Sequence, residues 1–254
     1  MAYYTLLFSP TGGTRAVAAQ LSKGWYATAQ IIDLTDSNRD FSKLQFSEDD
    51  VCLVAVPSYG GRVPAIAAQR LAAVHGGQAR AVLLSVYGNR AQDDTLRELY
   101  DVTKAAGFCP VAAVAAIAEH SIVRKYGAGR PDAADLEQLK TFAAQIAAKL
   151  TEGSRPETLQ LPGNDPYCKY QGVPFHPAAD KNCIKCGRCS EVCPVGAIPA
   201  QNPSKTDTKK CITCMRCVKT CPTHARKINP VLMFVAEQGL KKGCATRKEN
   251  ELFL

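Results

Sequence analysis

Over the first 150 residues, short apolar runs alternate with stretches whose apolar positions recur at helical spacing. Residues 2–8, 30–34, 51–56, 79–86 and 109–118 are the runs, each of the kind a strand covered on both faces requires. Between them, 14–26 carries Val17, Ala18, Leu21 and Trp25 at helical spacing, and Pro64 opens a helix that continues through Val74. A third helix is predicted from about 91 to 106 and stops at Gly107. A fourth covers 132–150, with Leu136, Leu139, Ile146 and Leu150 on one face. The polar segment 35–50 returns Phe41, Leu44 and Phe46 to the core. Strands alternating with helices predict an α/β domain over residues 1–150, built on a doubly wound five-stranded parallel sheet whose ligands lie beyond the strand carboxyl ends.

The first, third and fourth runs all end in glycine-rich loops. The first reads Ser9-Pro10-Thr11-Gly12-Gly13-Thr14-Arg15 and leads into a helix, so backbone N–H groups and the hydroxyls of Ser9, Thr11 and Thr14 can face an anion. Paired glycines alone mark only a turn, and the loop has neither G-K-[ST] nor G-x-G-x-x-G. The others read Pro57-Ser58-Tyr59-Gly60-Gly61-Arg62-Val63-Pro64 and Tyr87-Gly88-Asn89-Arg90. Each sets a tyrosine before glycine, as a planar ring stacked on tyrosine with backbone at its edge would need. The plainer reading is that Tyr59 and Tyr87 cap hydrophobic strands. His120 follows the fifth run on the same edge and is either a proton donor or relay or a surface residue.

The pattern S-x-T-G-x-T at 9–14 resembles the phosphate loop of flavodoxins, and the resemblance covers roughly residues 1–150. It implies FMN, with the phosphate on Ser9, Thr11, Gly12, Gly13 and Thr14. It implies ring contacts from Pro57, Ser58, Tyr59, Gly60, Gly61 and Arg62, and from Tyr87, Gly88, Asn89 and Arg90, with His120 beside them. The chain departs from many flavodoxins in having Asn89-Arg90 where they carry an acidic loop.

Chemistry of a different kind fills residues 180–222. Cys183, Cys186, Cys189 and Cys193 are repeated 28 positions later by Cys211, Cys214, Cys217 and Cys221, and Pro194 and Pro222 follow the last cysteine of each set. Thiolates at i, i+3 and i+6 let one tight loop wrap one side of an iron–sulfide cube, while the fourth cysteine of such a motif ligates the other cluster. One 4Fe-4S centre is therefore assigned to Cys183, Cys186, Cys189 and Cys221, and its twin to Cys211, Cys214, Cys217 and Cys193. Zinc knuckles pair two C-x2-C units and need no third cysteine at i+6. The segment resembles the bacterial 2x4Fe-4S ferredoxins, and the order of the two parts resembles flavodoxin/ferredoxin fusion proteins (ferrodoxins). Of the 12 cysteines, Cys52 and Cys109 read as small buried residues, while Cys168 and Cys244 have no role legible in the sequence.

The remaining boundaries follow. Residues 151–176, with Pro156, Pro162, Pro166 and Pro174, read as an extended linker; 177–230 form a small α+β ferredoxin-like two-cluster domain; 231–254 form a helix and a tail. The terminal Leu252-Phe253-Leu254 is expected to dock on a neighbouring domain. Residues 1–160 contain 16 Lys and Arg against 16 Asp and Glu, and residues 161–254 contain 15 against 7, so the net charge of +8 belongs to the second part. Lys181, Lys185, Arg188, Lys209, Lys210, Arg216 and Lys219 flank the cysteines, which predicts an acidic redox protein as partner, either ferredoxin-like or an oxidoreductase. Because this charge is interspersed with cysteines rather than gathered on a recognition helix, nucleic acid is not the expected partner. No apolar run approaches membrane-spanning length and no leader is apparent, so the expectation is a cytoplasmic protein. Together these features predict an electron-transfer flavoprotein. The alternative is a flavin-dependent oxidoreductase in which Arg62, Arg90 and His120 meet a small substrate.

Overall fold

The computed structural model describes all residues except 24, 26–28, 154–157 and 171. The apolar runs become β1 (Tyr3–Leu7), β2 (Gln30–Asp33), β3 (Val51–Pro57), β4 (Arg80–Tyr87) and β5 (Cys109–Ile117), all parallel, in the order β2-β1-β3-β4-β5. This is the flavodoxin-like order, whose ligand crevice opens at the β1/β3 switch point. Successive strand residues point to opposite faces. Leu6, Val54 and Leu83 meet α2 (Ala65–Ala72) and α3 (Thr95–Ala105) in one core, while Leu7, Leu53 and Leu84 meet α1 (Gly13–Ser22) and α4 (Ala133–Thr151) in the other. Two expectations are corrected. Helix α1 ends at Ser22, and Tyr26, its expected end, lies outside the described residues. Leu136 is 37% exposed, because α4 turns Leu139, Ala143 and Ile146 inward instead.

The expected linker is only partly a linker. Pro156 lies outside the described residues, but Leu159 joins the core and residues 158–170 run along α3. Asn164 donates from its backbone and its side chain to Asp94 Oδ1 at 2.7 and 2.8 Å, and Tyr167 donates to Asp101. Burial works against the Asp94 carboxylate, yet the donors from Cys168 and Asn164 hold its pKa down to about 2.

In the cysteine-rich part, β6 (Ala178–Ala179) pairs antiparallel with β7 (Arg226–Lys227) around two one-turn helices, α5 (Arg188–Glu191) and α6 (Arg216–Lys219). The 28-residue repeat extends to the backbone. Lys185 and Thr213 have φ of 54° and 51°, Gly187 and Met215 79° and 63°, Gly196 and His224 61° and 53°. Left-handed backbone costs a side-chain-bearing residue roughly 1–2 kcal/mol. The second repeat accepts that cost at three positions, so the path around the cysteines, not residue preference, sets the conformation.

Helix α7 (Pro230–Lys241) follows, capped by Asn229, whose side chain accepts from Val231 N at 2.9 Å. The chain then returns to the first domain, and β8 (Glu251–Phe253) adds antiparallel to β5. The sheet therefore has six strands, five parallel and one antiparallel, and β5 is not left as an open edge. Asn250 sets this register: its Oδ1 accepts from Ile117 N at 3.0 Å, and its Nδ2 donates to Gln138 Oε1 at 2.7 Å and Asp135 Oδ1 at 3.0 Å. Asp135 also receives the buried Arg130 and closes a capping box with Asp132 at the start of α4. No helix among the described residues is long and apolar enough to cross a membrane.

Candidate functional site

The loop after β1 turns through Gly12, whose φ is 92°, directly into α1. Ser9 Oγ accepts from Arg15 N at 3.0 Å and Thr14 is buried, so the loop is braced by its own hydroxyl at the start of α1. A cavity of about 650 Å³ lies over it, walled by Thr11, Gly13, Ile122, Met215 and Met233 among others. Lys219 of α6 crosses from the cysteine-rich part and donates to Thr11 O. Sequence reasoning counted Lys219 only as one of several surface cations.

A second cavity, of about 280 Å³, opens at the ends of β3 and β4 between Ser58, Tyr59, Gly60 and His120 on one side and Tyr170, Ile212 and Leu240 on the other. Ser121 and Ile122 line both cavities, so the two adjoin along this loop and are together termed the trough. Tyr170 lies against Gly60, with its ring where a side chain on that residue would sit. Nothing in the sequence marks Tyr170, since it stands in an aperiodic polar stretch. His120 packs on Gly88, and its Nδ1 accepts from Ile122 N at 3.2 Å and Val123 N at 3.0 Å. Burial, with Arg90 nearby, lowers its pKa to about 4. The ring is therefore neutral at pH 7, with its proton on Nε2.

Several residues expected around a flavin ring are engaged elsewhere. Arg62 forms a two-pronged ion pair with Glu98, both contacts 2.8 Å, and donates to Cys168 O at 2.8 Å, with its guanidinium over the Tyr167 ring. Asn89 donates to Cys244 O at 3.1 Å and Thr246 O at 3.0 Å and accepts from Lys248 N at 3.0 Å, so it clamps the returning tail. Tyr87 is buried in the core, the plainer of its two expected roles, and burial pushes its hydroxyl up to about 12. Arg90 lines the second cavity but is paired with Asp93. Pro57, Gly61 and Gly88 shape the loops without lining that cavity. The two unassigned cysteines lie beside these loops, Cys168 Sγ 3.9 Å from Gly61 O and Cys244 Sγ 3.8 Å from Gly88 O.

The eight repeated cysteines divide between two further small cavities. Cys183, Cys186, Cys189 and Cys221 line one, and Cys193, Cys211, Cys214 and Cys217 line the other. Each set thus draws three cysteines from one repeat and one from the other. Among the described residues, no three His, Cys, Asp or Glu side chains are grouped as a single metal ion needs. Burial pushes the Cys214 and Cys217 thiols up to about 12, so only a bound metal's charge would hold them as thiolates at neutral pH. Ile212 and Thr213, between two cysteines of the second set, also line the trough, whereas around the first set Cys186 is exposed and Ile184 is 64% exposed.

Of the seven cations that flank the cysteines, two bond to residues of the first domain: Arg216 donates to Thr35 Oγ1 and Lys219 to Thr11 O. Lys181, Lys185, Arg188, Lys209 and Lys210 are exposed.

Residues 182–225 match the family model of the 4Fe-4S dicluster domain. No curated protein matches the chain. Among solved structures, a flavodoxin from the domain Archaea is 15% identical with a TM-score of 0.44, covering 59% of this chain and 99% of its own. A Streptococcus pneumonia TIGR4 flavodoxin is 18% identical with a TM-score of 0.43, over 59% and 99%. The rubredoxin oxygen:oxidoreductase from Desulfovibrio gigas is 17% identical with a TM-score of 0.40, over 59% of this chain and 35% of its own. The fold itself rests on strand order, β2-β1-β3-β4-β5, and not on these alignments. The chain joins a flavodoxin-like α/β domain to a 4Fe-4S dicluster domain in one polypeptide.

Proposed function

We propose that this chain is a cytoplasmic electron-transfer flavoprotein, with FMN in the trough and a 4Fe-4S cluster on each cysteine set. The observation that carries the reading is the shared wall: Ile212 and Thr213 belong both to the trough and to the loop that bears Cys211 and Cys214. When bound, the clusters would exchange single electrons and FMN one or two. The set with Cys183 and Cys186 faces outward and would serve as the port, and the set with Cys211 and Cys214 as the link to the flavin.

The chain's own residues have definable parts. The backbone N–H of Gly13, at the start of α1, and the hydroxyl of Thr11 suit the terminal phosphate. Tyr59 and Tyr170 supply aromatic surface at the other end, and the neutral His120 presents Nε2–H as a donor there. Five exposed cations, Lys181, Lys185, Arg188, Lys209 and Lys210, surround the cysteines, which suits an acidic redox protein. The small-substrate alternative loses support because Arg62 and Arg90 are already paired with Glu98 and Asp93.

Stopped-flow reduction of the flavin by an acidic ferredoxin tests this. The rate should fall as salt rises, because a Debye length of about 10 Å at 0.1 M screens the steering. It should also collapse in Cys186→Ala, which removes an outer ligand. Flavin reduction at the wild-type rate in that variant would refute the route.

A further inference from the structure

Lys219 bonds the cysteine-rich part to the loop after β1, and its position within the repeat is informative. Its counterpart 28 residues earlier is Glu191, on the equivalent helix α5. Both side chains are exposed, and Lys219 in addition donates to Thr11 O. The duplicated position thus carries opposite charge in its two settings, and the lysine stands at the anion loop. The other cations of this cavity are engaged: Arg124 pairs with Glu119, and Lys227 pairs with Asp180 at 2.6 Å. Among the described residues Lys219 is without a carboxylate partner. Its Nζ would lie 3.3 Å from a methyl group on Gly12, so it stands at the lip of the loop.

Helix α6 is a single turn that contains Cys217 and is followed by Cys221, and these belong to different cysteine sets. A one-turn helix has no stability of its own. Its placement depends on what holds these two cysteines. With both cysteines ligated, α6 is pinned between two clusters and Lys219 is presented to the loop; with both free, that restraint is lost.

We propose that Lys219 is a phosphate ligand of the flavin contributed by the dicluster domain, and that cluster assembly is therefore coupled to flavin binding. This rests on the reading that FMN occupies the trough. One charge-assisted contact to a phosphate corresponds to roughly ten- to a hundredfold in affinity.

The test is titration of the full-length, cluster-loaded chain with FMN and with riboflavin, which lacks the phosphate, for wild type, Lys219→Met and Lys219→Arg, with iron content measured alongside. Lys219→Met should weaken FMN roughly ten- to a hundredfold, leave riboflavin and iron content unchanged, and be largely rescued by Lys219→Arg. Iron removal should weaken FMN more than riboflavin in the wild type, and both equally in Lys219→Met. Unaltered FMN affinity in Lys219→Met overturns the lysine's role, and a loss shared equally by riboflavin overturns its action on the phosphate. If iron removal affects both flavins equally in the wild type, the coupling fails. Absence of FMN binding to the wild type would defeat the underlying reading itself.

Discussion

His120 offers a sharp test, because one ring nitrogen holds the loop that closes the trough. Its Nδ1 accepts from the amides of Ile122 and Val123, and a proton there would turn both contacts from attraction to repulsion. Burial lowers its pKa to about 4. Above pH 6.5 the histidine is neutral in both folded and unfolded chains, and the stabilisation is fully present. Below that the unfolded chain takes up a proton that the folded chain refuses until about pH 4, so stability is lost as pH falls through this window. At about 1.4 kcal/mol per pH unit of difference, the loss by pH 5 reaches roughly 2 kcal/mol, an upper figure since the ring borders an open trough. His120→Asn places an amide oxygen near the position of Nδ1 and has no proton to gain. It should match the wild type at pH 7.5 within about 0.5–1 kcal/mol and lack this share of the decline at pH 5. His120→Ala should be less stable at both. Anaerobic urea unfolding at pH 7.5, 6 and 5 measures the differences, and the His120 Cε1–H resonance reports its titration directly. Parallel pH profiles for wild type and His120→Asn, or a resonance midpoint near 6.5, would refute the argument.

Cys193→Ala should disturb the cluster held by Cys211, Cys214 and Cys217 and spare the neighbouring one, which site-resolved EPR can report; loss confined to the Cys183 set would reverse the assignment. Anaerobically prepared protein should contain about eight irons, since each motif supplies a full ligand set; stoichiometric zinc in their place would contradict it. Asn250→Ala leaves Ile117 N–H buried without its acceptor and removes two donors, so it should cost about 2–4 kcal/mol, seen as a lower thermal midpoint. Glu98→Ala leaves the Arg62 charge half-buried without its partner and should cost about 3 kcal/mol in denaturant titration, with Glu98→Gln intermediate.

What could be read in the residues was local. Near-continuous apolar runs become strands β1 to β5 because a strand covered on both faces must be apolar throughout. The 28-residue cysteine repeat is legible because ligand spacing is a property of one loop, and its crossed sharing appears as two cysteine sets around two cavities. The glycine loops were legible as a cluster at one sheet edge, but the separate use of each side chain was not. Tyr59 and Tyr87 stand in similar sequence contexts, yet one lines the trough and the other is buried in the core. Arg62 looked available until α3 placed Glu98 against it.

Tertiary structure alone decided matters that turn on contacts between distant residues. Lys219 meets Thr11 across 208 positions, Asn250 meets Ile117 across 133, and Arg62 meets Cys168 across 106. A polar side chain has the same appearance in sequence whether it faces water or a partner, because neither periodicity nor composition changes with its destination. Hydrophobic burial and ligand spacing leave a mark on neighbouring residues, and so the sequence by itself determined two units and their chemistry. Docking of α6 on the loop after β1, Tyr170 on Gly60 and β8 on β5 leaves none, and only the folded chain could assign them.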